Sequence, residues 1–311
     1  STAAALSLQR SVDECGGDTG ACGLGTDSRG LRGLVATADL APGDVALRVP
    51  LGACFVEERH SSSGGHWAAR LAARLSATDP DHPYRAALPE PPCVPTRWDD
   101  ALDVDFQNAT FAAEVDSTFF WRHGQGVDLD ALDLVCSRTL AFQIGDRLAL
   151  VPLLDMANHA PSSRGGGYYA LDGDDVCLVV GDSGVAAGQP ILMDYGDRPV
   201  DDFLLHYGFV PDPHPADSLV LPASGTVVSW SDDTTSVREE ARVLLEAMPT
   251  TLADDLADLA AAENGRSCQE RRAALQYRVA KKQLLSFAAG LRPAAPETSA
   301  LAKKNPGGGG G

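Results

Sequence analysis

Short apolar runs bounded by glycine and proline turns occur in two separate stretches of this chain, with helical periodicity between them and after them. The first stretch holds Leu34-Val35-Ala36, the turn Pro42-Gly43-Asp44 and then Val45-Ala46-Leu47-Arg48-Val49. In such a turn proline presets φ and glycine tolerates the positive φ that follows. The second stretch holds Arg147-Leu148-Ala149-Leu150-Val151-Pro152, Val176-Cys177-Leu178-Val179-Val180 and Pro190-Ile191-Leu192-Met193-Asp194-Tyr195. Polar or glycine-rich turns, such as Ser162-Ser163-Arg164-Gly165-Gly166-Gly167, separate those runs. Trp67, Leu71 and Leu75 predict a helix from His66 to Ser76, and Ala109 to Arg122 is a second helical stretch. Further helices are expected from Val237 to Met248, from Leu252 to Ala262 and from Gln269 to Ala289. The order β-rich, helical, β-rich, helical indicates an α+β fold, because the strands are too short and irregular for a doubly wound parallel sheet.

The bulk chemistry narrows the function classes. With 311 residues, 44% hydrophobic and 22% charged, the chain can bury a sizeable core. No apolar run reaches the roughly 18 residues that a membrane-spanning helix needs, so no membrane partner is expected. The net charge of -18 argues against nucleic acid, whose phosphates require a basic surface. A solubilising surface accounts for that charge first, and a basic substrate second. The seven cysteines form no Cys-x-x-Cys pair, so neither a structural metal site nor a disulfide framework is indicated, and a reducing compartment follows. The small, hydroxylated N-terminus reads either as the remnant of a transit peptide or as a plain chain boundary.

The densest chemistry lies in Val151-Pro152-Leu153-Leu154-Asp155-Met156-Ala157-Asn158-His159. Asp155 and His159 invite a metal or triad reading, yet the other histidines show no ligand spacing and no Gly-x-Ser-x-Gly elbow is present. Taken alone, the segment is a turn held by side-chain hydrogen bonds. Three further blocks change its weight: Arg32-Gly33-Leu34-Val35-Ala36-Thr37, Ser137-Arg138-Thr139, and Tyr195-Gly196 followed by Tyr207-Gly208-Phe209.

In this order the four blocks resemble the SET domain of the Rubisco large-subunit methyltransferase type, a group that also resembles the actin-histidine methyltransferase of animals. The resemblance covers roughly residues 28–220. It implies a β-rich, knotted core with a helical insertion at about 60–130, a helical substrate-binding-like region at 221–292, an N-terminal segment 1–27 and a disordered tail 293–311. The implied activity is S-adenosylmethionine-dependent protein N-methylation without a metal, on a protein substrate, by a monomer. Lysine is the implied acceptor; histidine is the alternative, as is a silent SET protein acting as an interaction module.

The resemblance also assigns roles. Arg32, Gly33 and Leu34 would wrap the cofactor through backbone groups, with Gly33 allowing close approach. Asn158 and His159 would bind its adenine and amino-acid parts, and Tyr207 and Phe209 would wall the adenosyl group. Tyr195 would be the catalytic tyrosine, holding the acceptor nitrogen in line with the methyl group. Arg138 and Asp155 would line the substrate side or brace the site, and Tyr169, with Tyr168, would contribute to an aromatic acceptor pocket. The sequence departs from the family where Pro199-Val200 replace Ser-Asn, removing an asparagine that caps the next helix, and where Leu31 replaces a common glycine. A plastid location would follow from a processed transit peptide; cytoplasm is the alternative.

Overall fold

The computed structural model describes residues 2–28, 30–60, 65–99, 105–142, 146–212, 214–264 and 268–291; the tail 293–311 lies outside them. The chain divides into two compact units, the first made of Ser1–Pro91 and Trp121–Gly196, the second of Pro92–Phe120 and Asp197–Gly311. This division differs from the one expected. The 1–27 segment belongs to the first unit, the helical insertion is shared between both, and residues 197–220 fall in the second.

The first unit opens with α1 (Thr2–Glu14), whose apolar stripe Ala5, Leu8 and Val12 is buried. A residue spacing of three and four places those side chains on one helical face. The segment Thr2–Glu14 is therefore a packed element of the first unit. It leads into β1 (Cys22–Thr26) and β2 (Arg32–Ala36), an antiparallel pair, then β3 (Val45–Pro50) and β4 (Phe55–Glu58). Helices α2 (Trp67–Ala77) and α3 (Pro83–Ala87) follow, each N-capped by a histidine whose ring accepts a backbone N–H: His66 from Ala68 and His82 from Tyr84. The chain then passes through α4 (Ala109–Gly124), most of which belongs to the second unit, and returns as α5 (Leu129–Arg138). Asp128 caps α5 by accepting from the Ala131 amide.

Strands β5 (Leu140–Phe142) and β6 (Arg147–Leu150) join β4 in an antiparallel sheet of order β4-β6-β5. A second sheet has the order β3-β9-β8, with β8 (Tyr168–Asp172) and β9 (Asp175–Val179). The shortest strands, β7 (Asn158–His159) and β10 (Leu192–Met193), pair in parallel. Leu34, Val49, Leu71, Leu132, Val151, Leu153, Leu154 and Val176 are among the side chains buried in the core shared by these sheets and helices. Each buried aliphatic side chain contributes about 1.5–3 kcal/mol.

The second unit holds α6 (Val200–Tyr207), β11 (Ser218–Val220), β12 (Val227–Ser229), α7 (Arg238–Ala247), α8 (Leu252–Asn264) and α9 (Gln269–Ala288). Buried residues lie on every side of α9, as expected of a central helix. Tyr277 stacks on Phe111 of α4 with ring centroids 4.5 Å apart. That contact explains why most of the insertion helix belongs with this unit. On α9, Lys281 is buried against Asp201 and Asp217, and Lys282 against Asp255, which also pairs with Arg278.

The missing capping asparagine at Pro199-Val200 is compensated from a distance. Pro199 occupies the N-cap of α6 and offers no side-chain bond. The Val200 amide instead donates to Asp217 Oδ1 at 2.9 Å, in a buried position. The cap is thus supplied by a carboxylate that Lys281 neutralises.

Candidate active site

The site in the first unit is built on the segment between β6 and β7. The Leu154 amide donates to the Pro152 carbonyl at 2.9 Å, and Leu153 has φ 66 and ψ −50. These values define a γ-turn with positive φ, a strained conformation for a branched side chain. Full burial of Leu153 and Leu154 holds it. A single 3₁₀ turn over Leu154–Met156 then reverses the chain, and Asn158–His159 emerges as β7.

Pairing of β7 with β10 registers Met193 beside His159, so the next residues of that chain, Asp194 and Tyr195, continue alongside. The Tyr195 amide donates to His159 Nδ1 at 3.2 Å, and the two rings lie 5.1 Å apart. A ring nitrogen that accepts from an amide carries no proton, which requires the neutral imidazole. Burial likewise holds the His159 imidazole below its usual pKa, opposed by the nearby Asp194 charge. The Tyr195 hydroxyl donates to the Ala157 carbonyl at 2.8 Å. Both ends of Tyr195 are therefore anchored on the Ala157–His159 segment.

On the other side lies β2. Asn158 Nδ2 donates to the Arg32 carbonyl at 3.1 Å. A Cβ at Gly33 would stand 2.6 Å from that nitrogen and 3.3 Å from the Met156 carbonyl oxygen. Glycine is needed here because the Asn158 amide packs against the backbone of β2. The close approach expected of Gly33 is to Asn158.

A buried polar cluster underlies the turn. Asp155 has no exposed side-chain surface; Tyr84 Oη donates to its Oδ2 at 2.6 Å, while Arg138 Nη1 donates to its backbone carbonyl at 2.8 Å and lies 3.8 Å from Oδ2. Asp155 Oδ1 has no partner among the described residues. Burial raises the carboxyl pKa to about 6, and Arg138, the Tyr84 bond and Arg32 restrain the rise. Arg32 in turn donates from Nη2 to the Ala87 carbonyl at 2.7 Å.

No protein-family model matches this chain, and no curated relative matches it in sequence. Solved structures do match it in shape. The SET domain of LSMT bound to lysine and AdoHcy aligns with a TM-score of 0.69 and 15% identity, covering 93% of this chain and 90% of that one. Rubisco LSMT bound to AdoMet aligns at 0.68 and 16%, covering 92% and 91%, and Rubisco LSMT bound to sinefungin and monomethyllysine aligns at 0.68 and 15%, covering 92% and 90%. The fold is that of the SET domain of Rubisco LSMT.

On this SET fold the residues singled out in the sequence divide. Gly33, Asn158, His159 and Tyr195 meet in the first unit, joined by the bonds above. Arg32 lies in a strand, not in a wrapping loop, and ties that strand to α3. Leu34 packs its side chain in the core, and its carbonyl accepts from the Ile191 amide. For Asp155, burial separates the two roles. A carboxylate with no exposed surface cannot line a substrate channel, and of its two roles the bracing one remains. Arg138 stays partly exposed beside it.

Tyr169 is half-buried, donates to the Ala141 carbonyl at 2.9 Å and meets Phe142 edge-on at 5.7 Å. Its neighbour Tyr168 is 57% exposed, since adjacent strand residues point to opposite faces, so the two tyrosines cannot share one pocket. Tyr207 and Phe209 belong to the second unit, where they pack with Phe203 at 5.7 and 5.4 Å. Gly208 between them has φ +76, and a Cβ there would meet the Cys93 carbonyl oxygen at 2.8 Å. Sequence reasoning missed Tyr84 altogether. A histidine followed by proline is a helix-start signal that could have located α3, but nothing in the sequence marks Tyr84 as a partner of Asp155.

Proposed function

We propose that this chain is an S-adenosylmethionine-dependent protein N-methyltransferase acting on lysine. The observation that carries the reading is the meeting of Asn158, His159 and Tyr195 beside Gly33, on the fold that LSMT uses to bind AdoMet, AdoHcy, lysine and monomethyllysine. The donor set fits such a cofactor. Asn158 commits its Nδ2 to the Arg32 carbonyl, which leaves Oδ1 to accept from a ligand. With Arg32, Gly33 and His159, Asn158 would hold the adenine and amino-acid parts through neutral polar groups. When bound, S-adenosylmethionine supplies a sulfonium methyl and a neutral thioether leaving group.

The protein's own task is alignment and desolvation. Tyr195 Oη donates its proton to the Ala157 carbonyl, so toward an acceptor amine it would act as an acceptor of an N–H. Anchoring at both ends fixes the direction from which that amine approaches, and orientation of this kind is a large share of the rate gain in a displacement. The amine must attack as the free base, and desolvation around it would disfavour the ammonium form. His159, neutral and engaged through Nδ1, is a positioning group and not a base. Asp155 is sealed from the acceptor and takes no proton from it.

The test is direct. Calorimetry with AdoHcy should show binding by the intact protein, and labelled S-adenosylmethionine incubated with a lysate should mark a lysine-bearing protein. Tyr195→Phe should lower methyl transfer about a hundredfold, the cost of losing alignment, with AdoHcy affinity nearly unchanged. Absence of AdoHcy binding overturns the reading. Full transfer by the variant removes Tyr195 from the reaction.

A further inference from the structure

We propose that the short helix α3 is the positioning element of the methyl-transfer site, Tyr84 acting through Asp155 and the Ala87 carbonyl acting through Arg32; the inference rests on the function proposed above. The helix has five residues, fewer than an isolated helix needs to be stable, so its place in the molecule comes from its contacts. Phe55 packs on Tyr84 at 5.4 Å and on His82 at 5.8 Å, and Tyr84 is 1% exposed.

From that buried base the helix reaches the site by two routes. At its start, the Tyr84 hydroxyl holds Asp155, the middle residue of the 3₁₀ turn. The next two residues of that segment present the groups the site uses: the Met156 carbonyl against Gly33 and the Ala157 carbonyl that anchors the Tyr195 hydroxyl. At its end, the Ala87 carbonyl holds the Arg32 guanidinium, while the Arg32 carbonyl receives the Asn158 amide. One rigid turn of helix thus sets the spacing between β2 and the Ala157–His159 segment.

The Asp155 link carries a signature that plain packing would lack. The titratable groups facing its carboxyl are Tyr84 from α3, Arg138 from α5, Arg32 from β2 and the Cys54 thiol that follows β3. Tyr84 Oη is the side-chain donor within hydrogen-bond range of that carboxylate, since Arg138 stands at 3.8 Å and spends its short bond on the backbone carbonyl. Without the hydroxyl, the buried carboxylate loses its 2.6 Å hydrogen bond and protonates more readily. A neutral Asp155 then holds the Arg138 guanidinium less firmly, and the turn loosens at a pH where the native turn is still held.

AdoHcy affinity should be measured by calorimetry from about pH 5 to about pH 9 for the wild type, Tyr84→Phe and Asp155→Asn, a range that spans the raised carboxyl pKa. The wild type should weaken only at the acid end. In Tyr84→Phe the weakening should move to higher pH, with affinity about tenfold lower near neutrality, the equivalent of one charge-assisted hydrogen bond, and converging on the wild type at alkaline pH. Asp155→Asn should be flat across the range, a requirement that holds even if Tyr84→Phe fails to fold. A Tyr84→Phe profile parallel to the wild type at every pH would overturn the inference while leaving the proposed function standing. A wild type that binds no AdoHcy overturns the proposed function instead; in that event the thermal unfolding of Tyr84→Phe against pH still reads the Tyr84–Asp155 link, and an unshifted profile sinks it.

Discussion

Gly33→Ala isolates one contact with unusual clarity. Gly33 sits in β2 without a positive φ, so alanine can adopt its backbone conformation, and in the absence of a collision the change would favour folding slightly. The added Cβ instead falls 2.6 Å from Asn158 Nδ2 and 3.3 Å from both Asn158 Cγ and the Met156 carbonyl oxygen. The amide must swing away, breaking its 3.1 Å bond to the Arg32 carbonyl. A lost hydrogen bond costs about 1 kcal/mol and overpacking about 1–3 kcal/mol, so the variant should lose about 2–4 kcal/mol. For a unit of this size that lowers the melting temperature by about 4–16 °C. AdoHcy affinity should fall with it, because the amide is displaced from its position beside the ligand. The decisive control is Gly33→Ala/Asn158→Ala, which removes the atoms the Cβ strikes. Calorimetric unfolding of the four proteins should give a coupling of about 1–3 kcal/mol in favour of the double variant over the sum of the singles. The double variant should recover stability without recovering affinity. Additive losses, or a Gly33→Ala protein that melts with the wild type, would show that the β2–Asn158 contact does not set the site.

Two further perturbations test the buried charges. Asp155 holds its proton more tightly in the folded state, with a pKa of about 6 against an ordinary 3.8, so the wild type loses stability as pH rises from about 4 to about 6, by about 3 kcal/mol in all. Asp155→Asn lacks that loss: its melting temperature relative to the wild type should climb across this window and level off above it, and a constant difference would refute the assignment. Asp217→Ala removes both the cap of the Val200 amide and one of the two carboxylates of Lys281, which keeps Asp201, and should cost about 2–4 kcal/mol as lost buried hydrogen bonds. Asp217→Asn, which keeps an amide oxygen for the Val200 amide, should lose less in thermal unfolding, and an equal loss would assign the cost to the Lys281 pairing instead of the cap.

What the sequence made legible follows from the range of the forces involved. The α+β order, α2, α4 and the three C-terminal helices were readable because each rests on local periodicity. The strand expected at Pro190–Tyr195 shrinks to Leu192–Met193, since its partner β7 is only two residues long and pairing ends with it. Asn158, His159 and Tyr195 were found through an ordered set of motifs, and their bonds to one another agree with a shared site. Leu34 and Asp155 show the limit of such motifs: a motif records which residues recur, and recurrence does not distinguish a group that touches a ligand from one buried beneath it.

The cap of α6 shows the same limit from the other side. Local reasoning finds a helix start stripped of its asparagine, and the remedy, Asp217, lies 17 residues downstream and depends on Lys281 for its charge balance. Tyr84 is a comparable case, 71 residues from the carboxylate it holds. Both groups are single side chains whose value exists only once the chain has folded around them. A departure from a family motif is therefore weak evidence of lost activity until the fold has been searched for the group that replaces it, and here Asp217 supplies the replacement at the start of the helix that leads to Tyr207 and Phe209.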